Sequence, residues 1–350
     1  MRGGVVVAIA LGLVACGSHV ESGTVSPSPS LSASATATAS PSPTSRTVAF
    51  PDLPLIVGTR SGDLYPSFAN GQPSGPRLHV CDSHVRDLTA FGRQALFFCG
   101  DATSTLYLWD GASGKVSALA TDVTLAAFDG LGGIVYVALG ADALPAPIPT
   151  TRLVTRDLRT GATRDIDERF GVAFELRLTG EGVAVWRPKN SLSFVRSDAE
   201  AGTWVWIGGT LRKFSQHRLI DGGKGRDVLE SESDGSCCRY VVWRTMTEQR
   251  VTPNSVSDER PLAMLEDGRI VAWRPERGEF DGAIVVYNAG VIERMDRGLF
   301  SSFRVIRAGD WLVGQETGPA GTLRAYRISD GAFASVPIGE VTTLAVLGPK

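Results

Sequence analysis

The chain has 350 residues, 43% of them hydrophobic and 21% charged, with a formal net charge of −2. So even a balance excludes a nucleic-acid binder driven by phosphate contacts, and so much apolar residue excludes a chain disordered throughout. Its 4 His are scattered, which argues against a His-built metal centre, and the length suffices for one large domain or two smaller ones.

At the N-terminus Arg2 is followed by an apolar run, Val5 to Ala15, and then Cys16. The run is shorter than the roughly 20 residues that span a bilayer as a helix. A charged start, a brief apolar stretch and small residues at its end read as a secretory signal over residues 1–15. Leu13-Val14-Ala15-Cys16 resembles the bacterial lipobox. That resemblance implies lipidation of Cys16, with palmitate among the acyl groups, and attachment to the outer face of the cell membrane. Of the thirty residues from 17 to 46, 22 are Ser, Thr, Pro or Ala. They cannot bury enough apolar area to offset the entropy of ordering. Residues 16–46 are therefore expected to be a disordered tether with an r.m.s. span of about 30 Å. A stalk of this kind behind a lipobox resembles the lipoproteins of high-GC Gram-positive bacteria.

From residue 47 onward no stretch carries helical apolar periodicity. Short apolar bursts alternate with Gly- and Asp-rich turns instead: Ala95–Cys99, Ile134–Val137, Val183–Trp186, Tyr240–Trp243, Ile270–Trp273 and Trp311–Val313. The bursts are apolar at successive positions, so each strand must be covered on both faces. Like turns recur about every 40–50 residues, the spacing of a four-stranded propeller blade. The fold class predicted is all-β, a β-propeller over residues 47–350. A sandwich would show cleaner alternation along every strand. Groups of four readable strands begin near residues 84, 123, 172, 261 and 302. The stretch 226–252 has a good first hairpin and a poor second one. The leftover pieces Leu53–Phe68 and Val341–Leu347 are expected to share one blade and close the ring. Seven blades result, or six if 226–252 is an insertion.

Ser231-Glu232-Ser233-Asp234-Gly235, followed by Tyr240-Val241-Val242-Trp243, resembles the Ser-Pro-Asp-Gly hairpin of TolB-like and WD-repeat-like bacterial propellers. Glu232 and Ser233 depart from the usual Ser-Pro. The resemblance implies an extracytoplasmic propeller that serves as a protein- or ligand-binding platform, without fixing one chemistry.

Four cysteines follow Cys16, an even number in an exported domain. Cys81 and Cys99 fall at the same end of one hairpin and are expected to be bridged. Adjacent Cys237 and Cys238 are candidates for a vicinal disulfide, with reduced thiols or another pairing left open. No Gly-x-Ser-x-Gly elbow and no His-Glu-x-x-His occurs. Gly111-Ala112-Ser113-Gly114-Lys115 reads as a hairpin turn and not a phosphate loop, because it lies between two strands. No catalytic residue, metal or cofactor is assigned.

Three bursts end in Trp-Arg: Trp186-Arg187, Trp243-Arg244 and Trp273-Arg274. If they occupy equivalent positions in three consecutive blades, Arg187, Arg244 and Arg274 form part of a binding face with loops 140–150 and 188–202, since Trp and Arg are enriched at binding hot spots. The competing reading is packing, with Trp wedged between blades and Arg paired to a carboxylate. The function expected is a lipid-anchored, extracytoplasmic binding or scaffold module whose partner is an envelope protein or glycan, with no nucleic acid. The alternative is an envelope hydrolase or lyase with its site in the central channel. A third is a sensor or accessory subunit of a transporter or wall-synthesis system.

Overall fold

The computed structural model describes residues 46–69, 72–100, 104–139, 151–167, 173, 175–179, 182–187, 201–222, 228–233, 240–244, 256–257, 259–275, 282–300, 305–315, 321–339 and 341–348. Cys16, the signal and nearly all of the expected tether lie outside them, as do Cys237, Cys238 and the loops 140–150 and 188–200.

The described residues are all-β in a propeller-like arrangement. β1 (Leu53–Thr59) and β2 (Asp63–Ala69) form a hairpin, with the short β3 (Gln72–Pro73) and β4 (Leu78–His79) both paired to β2. β5 (Val85–Phe91), β6 (Gln94–Cys99), β7 (Ser104–Asp110), β8 (Lys115–Phe128), β9 (Gly133–Leu139), β10 (Thr151–Asp157) and β11 (Thr163–Asp167) make one seven-stranded antiparallel sheet. Its central strand β8 has 14 residues: Lys115 to Ala120 pair with β7, and Val123 to Phe128 pair with β9. It therefore ends one run of four strands and begins the next.

Three four-stranded sheets follow in chain order. The first comprises β12 (Glu175–Thr179), β13 (Gly182–Arg187), β14 (Gly202–Ile207) and β15 (Thr210–Ser215). The second comprises β16 (Arg218–Gly222), β17 (Val228–Ser233), β18 (Tyr240–Arg244) and β19 (Val256–Ser257). The third comprises β20 (Arg260–Met264), β21 (Ile270–Pro275), β22 (Gly282–Asn288) and β23 (Val291–Phe300). A further sheet of four comprises β24 (Ile306–Ala308), β25 (Trp311–Gln315), β26 (Thr322–Arg327) and β27 (Phe333–Pro337). The last strand, β28 (Val341–Val346), returns to pair with β1, Val57 facing Leu344. The pairing expected between the two leftover pieces is thus present.

Double coverage of the apolar bursts is visible residue by residue. On β21, Ile270 and Ala272 enter one buried cluster while Val271 and Trp273 enter the next, alongside Leu312 and Tyr326 of the following sheet. On β9, Ile134 and Tyr136 pack toward Leu96 and Phe98, whereas Val135 and Val137 pack toward Val183 and Val185. A strand with alternate side chains in two separate cores has no polar face, hence its unbroken hydrophobicity. The last cluster joins Val313 and Leu323 to Leu55, Val57 and Leu344, so the final sheet packs against the first.

Neighbouring strands within a sheet alternate in direction, which divides the turns between two ends. Thr342 Oγ1 donates to the Val85 carbonyl where β28 and β5 begin, and the Gly348 amide donates to the Gly92 carbonyl at 2.9 Å just beyond where they finish. First strands of adjacent sheets thus run alongside in the same sense. Turns between first and second strands, and between third and fourth, gather at one end. Connections from second to third strand, and from one sheet to the next, gather at the other. Arg46 and Val48 bond to both backbone groups of Phe333, at the start of β27, so the chain enters at the first of these ends. We call it the entry end, and its opposite the far end.

Candidate functional site

At the far end, three clusters of titratable side chains among the described residues draw on more than one element. The first is built on the β1–β2 turn. Gly62 adopts φ +81°, and its carbonyl accepts the amides of Val80 at 2.9 Å and Cys81 at 3.1 Å. A Cβ there would sit 1.9 Å from the Cys81 carbonyl oxygen, so only glycine fits. This docking places β4 across β2 with His79 opposite Asp63. The Asp63 carboxylate, 2% exposed, accepts from Ser61 Oγ and the Arg77 guanidinium on one oxygen, and from His79 Nδ1 at 3.0 Å on the other. The Asp63 amide donates to Thr59 Oγ1 at 3.1 Å. Burial alone would raise the carboxyl group's pKa; the hydrogen bonds from Arg77, Ser61 and His79 outweigh it and hold it down at about 2. Just beyond, Cys81 and Cys99 are joined by a disulfide, the bridge expected from their positions.

The second cluster sits where one sheet hands over to the next. Glu259, immediately before β20, is almost completely buried. It accepts from Arg274 Nε on one oxygen and from the Tyr287 hydroxyl on the other, and Arg274 Nη2 donates to that hydroxyl at 3.0 Å. Burial raises the Glu259 carboxyl above its ordinary range despite the guanidinium. Burial, together with the bond to Glu259, raises the Tyr287 phenol too. The third cluster spans two sheets: Arg218, opening β16, places Nε 2.6 Å from Glu175 Oε2 at the start of β12, and Arg177 pairs with the same carboxylate.

Arg274 is therefore held within its own sheet by Glu259 and Tyr287. Arg187 is also buried, with its guanidinium carbon 5.8 Å from the centre of the Trp204 ring. The expected equivalence of the three Trp-Arg pairs needs correction. Arg187 and Arg274 lie at the far-end side of second strands, but Arg244 ends β18, the third strand of its sheet. The cause is β16, a five-residue strand carrying Arg218 and Asp221 that precedes the hairpin legible in the sequence. One added strand reverses the direction in which the burst runs, so Arg244 closes its strand at the entry end. Its side chain lies outside the described residues.

Ser61, Asp63 and His79 are the residue types of a hydrolytic triad in a different arrangement. The serine donates to Asp63, so its hydroxyl hydrogen is committed to the carboxylate and not to an imidazole base. No group of three or more His, Cys, Asp or Glu among the described residues could hold a metal ion. Gly111–Lys115 is the hairpin turn expected: Asp110 accepts the Ala112 amide at 3.1 Å and the Ser113 hydroxyl at 2.7 Å. Sequence reasoning missed Asp63, Glu259 and Tyr287. Asp63 had a usable signal, since an acid after Ser-Gly in a tight turn bonds its own turn.

No sequence family and no curated protein matches this chain. Similar solved structures do exist. A structure from a structural and mechanistic study of two prolyl endopeptidases matches at TM-score 0.52 and 13% identity over 84% of this chain and 49% of its own. The tricorn protease matches at TM-score 0.52 and 12% identity over 84% of this chain and 34% of its own. TolB from Acinetobacter baumannii matches at TM-score 0.45 and 12% identity over 83% of this chain and 65% of its own. The chain thus spans between about a third and two thirds of these proteins' length. At such identities the likeness concerns the fold.

Proposed function

We propose that this chain is a lipid-anchored, extracytoplasmic β-propeller of seven blades whose far end binds an envelope protein or glycan. Support for seven comes from counting runs of four, with β8 serving two runs and β28 completing the run begun by β1. The observation that carries a binding role is the closure of the far-end clusters. Asp63 and Glu259 are each satisfied by partners within their own sheet. A carboxylate so engaged shapes and charges a surface; it is not poised to take a proton from a substrate. The partly exposed groups around Asp63, namely Arg77 and His79, suit an acidic or hydroxyl-rich partner.

The test is crosslinking in intact cells followed by capture of the full chain from membranes. A defined partner whose recovery falls at least about tenfold in Arg77→Glu supports the reading. Equal recovery from the variant overturns it. A second reading, an envelope hydrolase or lyase, is favoured by one observation: His79 has 64% of its side chain exposed while a buried carboxylate orients its ring. Capture of no partner, together with a rise in melting temperature on adding a small envelope-derived saccharide or peptide, would favour that alternative.

A further inference from the structure

Among the described residues, the exposed large apolar side chains are Phe91, Val116, Leu131, Ile207, Val291 and Ile292. Scattered singly, such residues need no explanation. These six share an end. Phe91 closes β5, and Leu131 lies in the β8–β9 turn; both turns join first to second strands. Val116, Ile207 and the Val291–Ile292 pair flank turns from third to fourth strands. Neighbouring turns touch at two points. The Phe91 ring is 5.9 Å from that of Phe128 in the next run, and Arg294, two residues beyond Ile292, donates to the Ile328 carbonyl in the turn of the following sheet.

The exposure is built in. Asp129 Oδ1 accepts the amides of Leu131 at 2.7 Å and Gly133 at 2.8 Å, fixing a turn that holds Leu131 84% exposed. Val291 follows a turn with Ala289 at φ +46° and is 69% exposed. The neighbouring turn carboxylates are engaged likewise: Asp157 accepts the amides of Arg159 and Thr160, and Asp330 that of Ala332. Asp330 also accepts two bonds from the Arg327 guanidinium, and Asp267 one from Arg269, so the charges of these turns are paired beside the apolar side chains. The chain also enters at this end, at Arg46.

We propose that the entry end is a membrane-docking face, its apolar turn residues seated in the headgroup region of the bilayer that holds Cys16. The inference rests on the anchor proposed above. Apolar side chains seated in the interface add to attachment in proportion to the area they bury. A tether of about 30 Å r.m.s. span allows this face to reach the surface without strain. Docked so, the molecule turns its far end, with Arg77 and His79, away from the lipid.

The experiment places full-length protein on protein-free vesicles of anionic and zwitterionic phospholipid and follows amide hydrogen exchange by mass spectrometry. One sample is the protein extracted from its own membrane. The other carries a hexahistidine insertion in place of Cys16 and is held on nickel-chelating lipid. Exchange at least about fivefold slower at 88–94, 129–133 and 288–293, with no change at 59–63 and 79–85, supports the proposal. Equal protection at both ends, or none at either, overturns it. Leu131→Asp with Val291→Asp should abolish the protection while leaving the urea midpoint unchanged, both sites being exposed; persistent protection also overturns the proposal. The intact mass of the extracted protein separately tests acylation at Cys16. If it is unmodified the anchor reading fails, and the nickel-held sample still decides docking.

Discussion

Gly58 of the first strand lies against Thr343 of the last: a Cβ added to Gly58 would meet the Thr343 methyl at 2.8 Å and the Val85 side chain at 2.7 Å. Thr342 reaches the same strand: its Oγ1, which donates to the Val85 carbonyl, also lies 3.2 Å from the Gly58 carbonyl oxygen. The seam where the chain's two ends meet is therefore packed too closely for a single methyl. Gly58→Ala should cost about 1–3 kcal/mol through overpacking. Urea unfolding should show a lower midpoint, and hydrogen exchange should rise first in 53–59 and 341–346. Unchanged stability would mean that the seam is looser than its contacts indicate.

Asp63 gives a pH dependence with a definite sign. Its folded-state pKa is held at about 2 against 3.8 when free. The stabilisation is thus fully present above 3.8 and is lost as pH falls through 2. The shift corresponds to about 2 kcal/mol. Asp63→Asn should lower stability by about 1–2 kcal/mol at pH 7, with the gap to wild type closing near pH 2. Urea titrations across that range measure it.

Glu259 has the opposite sign. Burial raises its folded-state pKa above 4.5, so ionisation opposes folding. Its contribution improves as pH falls through the raised value and levels off below 4.5. The Tyr287 hydroxyl is one of the groups that favour the carboxylate. Tyr287→Phe should therefore cost about 1–3 kcal/mol at neutral pH and move this pH-dependent gain to higher pH. Melting curves from pH 7.5 to 4.5 would reveal both effects.

The Cys81–Cys99 bridge closes a loop with a sequence separation of 18. Its removal by Cys81→Ala with Cys99→Ala should cost about 3 kcal/mol. Because Cys81 also receives the β1–β2 turn through Gly62, the loss should loosen the Asp63 cluster. Non-reducing peptide mapping should recover the bridge in the wild-type protein.

The strands buried on both faces could be read from the sequence because double burial leaves an unbroken apolar run, as at Ala95–Cys99 and Ile270–Trp273. β16 could not: at five residues, with Arg218 and Asp221 among them, it resembles a loop. Missing it misplaced Trp243-Arg244 by one strand. Asp63 and Glu259 were hidden for another reason. A lone acid in a turn carries no periodic signal, and its burial follows only from which strands pair. Arg77 and His79, near in sequence to each other, come together on Asp63 only because β4 crosses β2.

The incoming chain crosses from one side of the seam to the other. It first bonds to Phe333 on the last sheet, through Arg46 and Val48, then buries Phe50 and becomes β1 of the first. Any pull transmitted from a membrane through the leading segment would reach that strap before it reached β1. The two hydrogen bonds at Phe333 would bear load as a strain relief does on a cable, leaving the closure between β1 and β28 unstressed until they part.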